Sequence, residues 1–147
     1  MEWQARPYPV DVFPSLAGKI ADLIKAGRLE ASALVHEEIK IVGTAELIKW
    51  AADNESIFVP TPEILNEALS IQNQFTGLRD PKAEYEEADA YVIALARIRG
   101  GIVVTQETPA AEKHKPKRAQ YIPDVCRELG IPSISLLGLM RREGWRF

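Results

Sequence analysis

The chain has 147 residues, 46% hydrophobic and 27% charged, a profile that suits a single globular domain over residues 1–147 with one core and no need of staples. Cys126 has no second cysteine to pair with, no apolar run reaches the roughly 18 residues of a membrane-spanning helix, and the amino terminus lacks a signal-peptide pattern. A reducing, cytoplasmic setting without membrane contact is therefore expected. The net charge of −3 is segregated, since residues 1–112 hold 10 Lys+Arg against 18 Asp+Glu and residues 113–147 hold 8 against 3. That split suits a cation-gathering acidic pocket beside a basic rim for a polyanion, but charge alone fits a solvated charged surface better and decides nothing.

Residues 3–14 carry Pro7, Pro9 and Pro14 and read as an extended lead-in, because proline interrupts both helix interiors and central strands. Ser15 then caps a helix whose apolar face is Leu16, Ile20, Leu23 and Ile24, with Gly27 as its terminator. Arg28–Ser32 is short enough for a buried strand. A helix opening at Ser32 or Ala33 presents Val35, Ile39 and Val42, and a second helix covers Ala45–Ala52. Ile57–Val59 reads as another short strand. Thr61 and Pro62 start a helix with apolar positions Ile64, Leu65, Ala68, Leu69, Ile71 and Phe75, which breaks at Gly77. Arg79–Glu87 is a polar loop. Residues 88–99 are apolar nearly all round, which predicts a helix packed on two sides and ending at Gly100-Gly101. The β-branched run Ile102–Thr105 is a buried strand, followed by the basic loop Lys113–Arg118, a helix over Pro123–Leu129, a strand over Ser133–Leu136 and a closing helix. Short apolar strands alternating with helices predict an α/β fold with a small parallel sheet flanked by helices.

The stretch Glu86-Glu87-Ala88-Asp89-Ala90-Tyr91 opens the apolar helix, and Gly100-Gly101-Ile102-Val103-Val104-Thr105-Gln106-Glu107 follows it. Asp89 stands at the start of that helix and Glu107 at the carboxyl end of the next strand, where open α/β sheets form their sites. Both carboxylates can converge there; equally, Asp89 can serve as a helix cap and Glu107 as a surface residue. Cys126 reads as a core residue, His36 and His114 lack metal-ligand spacing, and Trp3, Trp50 and Trp145 read as packing residues. Lys113, Lys115, Lys117 and Arg118 can approach phosphates or form a solvated loop.

Those two stretches together resemble the PIN-like superfamily, which includes the VapC-type toxin ribonucleases. The chain is most similar to a PIN-like family of uncharacterised bacterial proteins. That likeness extends to Arg6-Pro7-Tyr8-Pro9-Val10-Asp11-Val12-Phe13-Pro14, to Gly27-Arg28-Leu29 before a Glu-rich helix, to Ile122-Pro123-Asp124-Val125-Cys126, and to the ending Arg141-Arg142-Glu143-Gly144-Trp145-Arg146-Phe147. The resemblance implies a three-layer sandwich and a toxin-type endoribonuclease in which clustered carboxylates hold Mg²⁺ or Mn²⁺ and activate a water. It assigns catalysis and metal binding to Glu38, Asp89 and Glu107, with Asp124 a weaker fourth metal ligand. Glu37 competes with Glu38, and a rotation of about 100° per helical residue lets only one of the two face the pocket.

One departure matters. The resemblance implies an opening apolar strand that ends in a catalytic aspartate, but Met1-Glu2-Trp3 stands where the following helix would begin. The activity is therefore expected to be impaired in this form, and a non-catalytic binding module facing a protein such as an antitoxin is the alternative. A missing central strand would leave a slot between Arg28–Ser32 and Ile102–Thr105. The expected resolutions are direct pairing of those two segments or donation of a strand by a second chain, which would make a homodimer, ahead of a chain poorly folded alone that dimerises or aggregates through its exposed edges.

Overall fold

A computed structural model describes residue 8, residues 11–84 and residues 86–147. Most of the proline-rich lead-in lies outside these residues. The part described, from Asp11 to Ser15, is turned where an extended run was expected, and the Leu16 amide donates to the Phe13 carbonyl at 3.1 Å.

Helix α1, Leu16–Lys25, buries Leu16, Ile20 and Leu23 on one stripe. It ends before Gly27, whose φ of +67° is a left-handed conformation that glycine adopts without steric cost. Strand β1 is only Ala31–Ser32, shorter than the expected Arg28–Ser32. Ser32 adopts an extended conformation and its hydroxyl accepts from the Val35 amide at 3.4 Å, so the strand passes directly into α2, Ala33–Val42. Thr44 caps α3, Ala45–Asp53, in the same way. A 3-10 turn leads to β2, Phe58–Val59, and Pro62 sits in the first turn of α4, Thr61–Gln74, which buries Ile64, Ala68 and Ile71 at helical spacing.

Helix α5, Asp89–Arg99, carries buried residues on several faces (Ala90, Tyr91, Ile93, Ala94, Leu95). It packs against α4, α6, β1 and β3, the two-sided burial that its apolar sequence predicts. Only its far end departs from that pattern, Ile98 being 45% exposed. Beyond α5 come β3, Val103–Val104, then α6, Ile122–Leu129, β4, Ser133–Ile134, and α7, Leu136–Arg142. The main core joins α4, α5 and α6 through Ile64, Ile71, Ile93 and Val125. A second cluster joins α1 to α7 through Leu16, Ile20, Leu136 and Met140. Ile93 is fully buried, and Ile93→Val is expected to lower stability by about 0.5–1.5 kcal/mol, read as a shift in the urea midpoint at constant slope.

The class is α/β with parallel strands, yet the strands form two ladders. Ala31 and Ser32 pair with Phe58 and Val59, while Val103 and Val104 pair with Ser133 and Ile134. No ladder joins β1 to β3, so the expected direct pairing of these segments is corrected. The Val103 and Thr105 amides donate to the Pro132 and Ile134 carbonyls at 2.9 and 3.0 Å. Alternation along the strand then turns the backbone of Val104 away from β4, and that residue is 43% exposed. Among the described residues, no helix is long and apolar enough to cross a membrane.

Candidate active site

Three elements bring carboxylates to the carboxyl ends of the strands. Helix α2 starts where β1 stops and carries Glu38, whose Oε1 accepts from the Ala88 amide at 2.7 Å. Asp89 occupies the first turn of α5, and Glu107 follows β3 by three residues. Glu37 pairs with Lys40 at 3.0 Å on the exposed side of α2, so Glu38 is the member of the pair that faces inward.

The guanidinium of Arg118 sits among these groups. Its Nη1 donates to Asp89 Oδ2 and, at 3.2 Å, to the Leu78 carbonyl, while its Nη2 donates to Glu107 Oε1 at 2.9 Å. Glu87 Oε2 lies 3.8 Å from Nη1, and the Tyr121 ring stacks 4.3 Å from the guanidinium carbon. The Arg118 side chain is 12% exposed. The second oxygen of Glu107 accepts from the Ile122 amide at 3.1 Å, at the start of α6.

Burial pushes the Asp89 carboxyl up to about 6, the negative charge of Glu107 adds to the rise, and the hydrogen bond and charge of Arg118 only partly oppose it. Glu38 is also raised, first by burial and then by Glu87 and Glu107, against the lowering effect of the Ala88 amide. For Arg118, burial acts to lower the pKa, but hydrogen bonding to Asp89 and the charges of Asp89 and Glu107 outweigh it and the net direction is upward. One guanidinium among Glu38, Glu87, Asp89 and Glu107 leaves the pocket acidic. Burial first and the charge of Glu107 second raise Asp89, and oxygen-only donors are the set that hard divalent cations require.

Asp124 has other partners. Its Oδ2 accepts from the Tyr121 amide at 2.8 Å and the Ala110 amide at 3.0 Å, and its Oδ1 lies 3.5 Å from Arg127. It fastens the start of α6 to the preceding loop. Within the basic loop, Lys115 and Lys117 are exposed. Lys113 donates to Thr108 Oγ1 at 2.7 Å and lies 4.3 Å over the Tyr121 ring. Arg118 is the member that reaches the carboxylates. Glu107 also lines an open groove with Thr105, Thr108, Ser133 and Ser135 at the ends of β3 and β4.

A family model matches residues 1–147, the whole chain. The chain belongs to the DUF4411 family, described as a domain of unknown function. No curated protein and no solved structure matches it. Among the described residues of this DUF4411 chain, no three His, Cys, Asp or Glu side chains form a group poised to hold one metal ion. The guanidinium of Arg118 stands between Asp89 and Glu107, where their charges meet. Glu87 and Tyr121 are parts of this site that the sequence did not single out, and Arg118 stood out only as a member of the basic loop able to approach phosphates. Glu87 is one of two adjacent glutamates, and Arg118 ends a run of basic residues, so neither carries a local signal of which side chain turns inward. Cys126 is fully buried in the core, and burial pushes its thiol up to about 11. It should stay unmodified by a thiol reagent at neutral pH until urea unfolds the DUF4411 chain; rapid native labelling would contradict this placement.

Proposed function

We propose that this chain is a PIN-like, toxin-type domain for divalent-cation-dependent endonucleolytic cleavage of RNA. The observation that carries the reading is the gathering of Glu38, Asp89 and Glu107 from α2, α5 and the loop after β3 at the carboxyl ends of parallel strands. Glu38, Asp89 and Glu107 would hold Mg²⁺ or Mn²⁺, which when bound supplies a Lewis acid and an acidified water. Exposed Lys115 and Lys117, on the same loop as Arg118, are placed to offset the charge of an RNA backbone without reading its sequence. The resemblance implies a further aspartate on a strand beside β1 and β3. Among the described residues no strand lies there. The test is cleavage of end-labelled RNA by the purified chain in Mn²⁺ and in excess chelator. Cleavage that persists in chelator would point to other chemistry.

A second reading, a non-catalytic module that binds a protein such as an antitoxin, is favoured by the Arg118 side chain that fills the acidic cluster. The absence of Asp89-dependent cleavage and metal binding would select it.

A further inference from the structure

The groove beside Glu107, at the carboxyl ends of β3 and β4, has a hydrogen-bonding polarity of its own. Gln106 on its lining is held by Oε1, which accepts from the Leu136 amide at 3.1 Å, and an amide fixed by its oxygen presents its nitrogen as a donor. The Thr108 hydroxyl accepts from Lys113 Nζ at 2.7 Å and the Ser135 hydroxyl from the Gly138 amide at 3.0 Å. A hydroxyl whose oxygen accepts keeps its hydrogen to donate. Among the described residues, no protein group takes the Nε2 hydrogens of Gln106 or bonds the Ser133 hydroxyl. Lys113 brings a positive charge to the Thr108 edge and is steadied there 4.3 Å over the Tyr121 ring. The carboxylate on the lining, Glu107, has both oxygens engaged, one by Arg118 and one by the Ile122 amide. The groove is thus rich in donors and cationic at one edge, the complement of an oxyanion. Its volume of about 220 Å³ is below the roughly 300–1,000 Å³ of pockets that engulf a whole small ligand, so it suits one group of a longer chain.

We propose that this groove is a phosphate subsite for single-stranded RNA, in which the Gln106 amide, the hydroxyls of Thr108, Ser133 and Ser135 and the ammonium of Lys113 hold a backbone phosphate beside Glu107. This rests on the RNA reading above and adds the path of the strand, across the ends of β3 and β4. An acidic peptide offers oxyanions too, but RNA repeats its charge at every nucleotide, and exposed Lys115 and Lys117 follow Lys113 on the same loop to meet the neighbouring phosphates. Neutral donors with one ammonium position a phosphate without reading a base, so the subsite sets the register of the strand and confers no sequence preference.

Binding of a fluorescein-labelled oligouridylate to the full chain, measured by anisotropy at low salt in excess chelator, tests this apart from any cleavage, with folding verified by circular dichroism. Gln106→Glu keeps the oxygen that the Leu136 amide needs and removes the donor, and Lys113→Gln removes the charge. Each is expected to weaken binding about tenfold or more, because each loses a hydrogen bond to a charged group. Lys40→Gln, on the exposed side of α2, changes the net charge by the same single unit and should bind like wild type. Losses of equal size in Lys40→Gln and in the two groove variants would mean a diffuse charge effect and overturn the subsite. So would displacement of the oligouridylate by poly-aspartate as readily as by unlabelled RNA of equal charge. No binding by wild type overturns it as well, whatever the cleavage assay shows, and cleavage in Mn²⁺ that ignores both groove substitutions leaves the proposed function standing without this subsite. Should Gln106→Glu fail to fold, nuclear magnetic resonance of the wild-type chain decides: Gln106 Nε2–H signals unmoved at saturating oligouridylate overturn the subsite.

Discussion

Asp89→Asn is expected to lower cation-dependent RNA cleavage by about 100-fold or more. Asparagine keeps the shape of the side chain in the first turn of α5 and can still accept from Arg118, but it removes the negative charge. Ligand charge at such a site contributes several kcal/mol to offsetting charge in the transition state, and each 1.4 kcal/mol is about a factor of ten. Asp89 is the member of the cluster best placed for the role, since its carboxylate is 19% exposed and lies between the influences of Glu107 and Glu38. Glu37→Gln, on the exposed face of α2, is the matched control and should cleave like wild type. Equal cleavage by Asp89→Asn and wild type in paired preparations would remove Asp89 from the mechanism.

The same substitution is expected to stabilise the folded chain at neutral pH. Burial and Glu107 push the Asp89 carboxyl up to about 6 in the folded state from an ordinary value of 3.8. Between these two values the folded state holds more protons than the unfolded state, so the contribution of Asp89 to stability is fully present below pH 3.8 and falls as pH rises through 6. The loss amounts to about 3 kcal/mol, and asparagine, which stays neutral, does not incur it. Urea unfolding of wild type and Asp89→Asn in cation-free buffer should therefore give curves that coincide near pH 4 and separate towards pH 7.5, with the variant the more stable. Added Mg²⁺ should raise only wild type, by binding the folded state alone. A variant less stable than wild type at pH 7.5 would mean that the ion pair with Arg118 outweighs burial and the repulsion from Glu107. The opposite signs of these two effects, on activity and on stability, are what a site built from crowded carboxylates entails.

The helices were readable because their information is local. Ser32 and Thr44 cap, Gly27 and Gly100 terminate, and the all-round apolarity of α5 matches its burial against α4, α6, β1 and β3. The strand positions were readable from their β-branched runs, but not their extent or partners. Strand length depends on which neighbour supplies hydrogen bonds, and a two-residue ladder such as Val103–Val104 against Ser133–Ile134 leaves the rest of an apolar run as loop. Asp89 and Glu107 could be picked out because each stands at an element end, whereas Glu38, midway along α2, was reached only through the resemblance. The inward turn of Arg118 could not, since it depends on contacts with Asp89 and Leu78 at sequence separations of 29 and 40.

The two ladders share a helix and no hydrogen bonds with each other. Glu38 is carried by the ladder of β1, Glu107 by that of β3, and Asp89 by the α5 they both pack against. The gauge of the site, the span between its outer carboxylates, is therefore set at α5, by side-chain packing, by the Ala88 amide on Glu38 and by the Arg118 bridge from Asp89 to Glu107, rather than by a backbone ladder of fixed spacing. A slide of either half along that helix would widen or narrow the span without breaking a strand pairing, so substitutions buried beneath α5 are expected to act on the site as shims, resizing it from a distance.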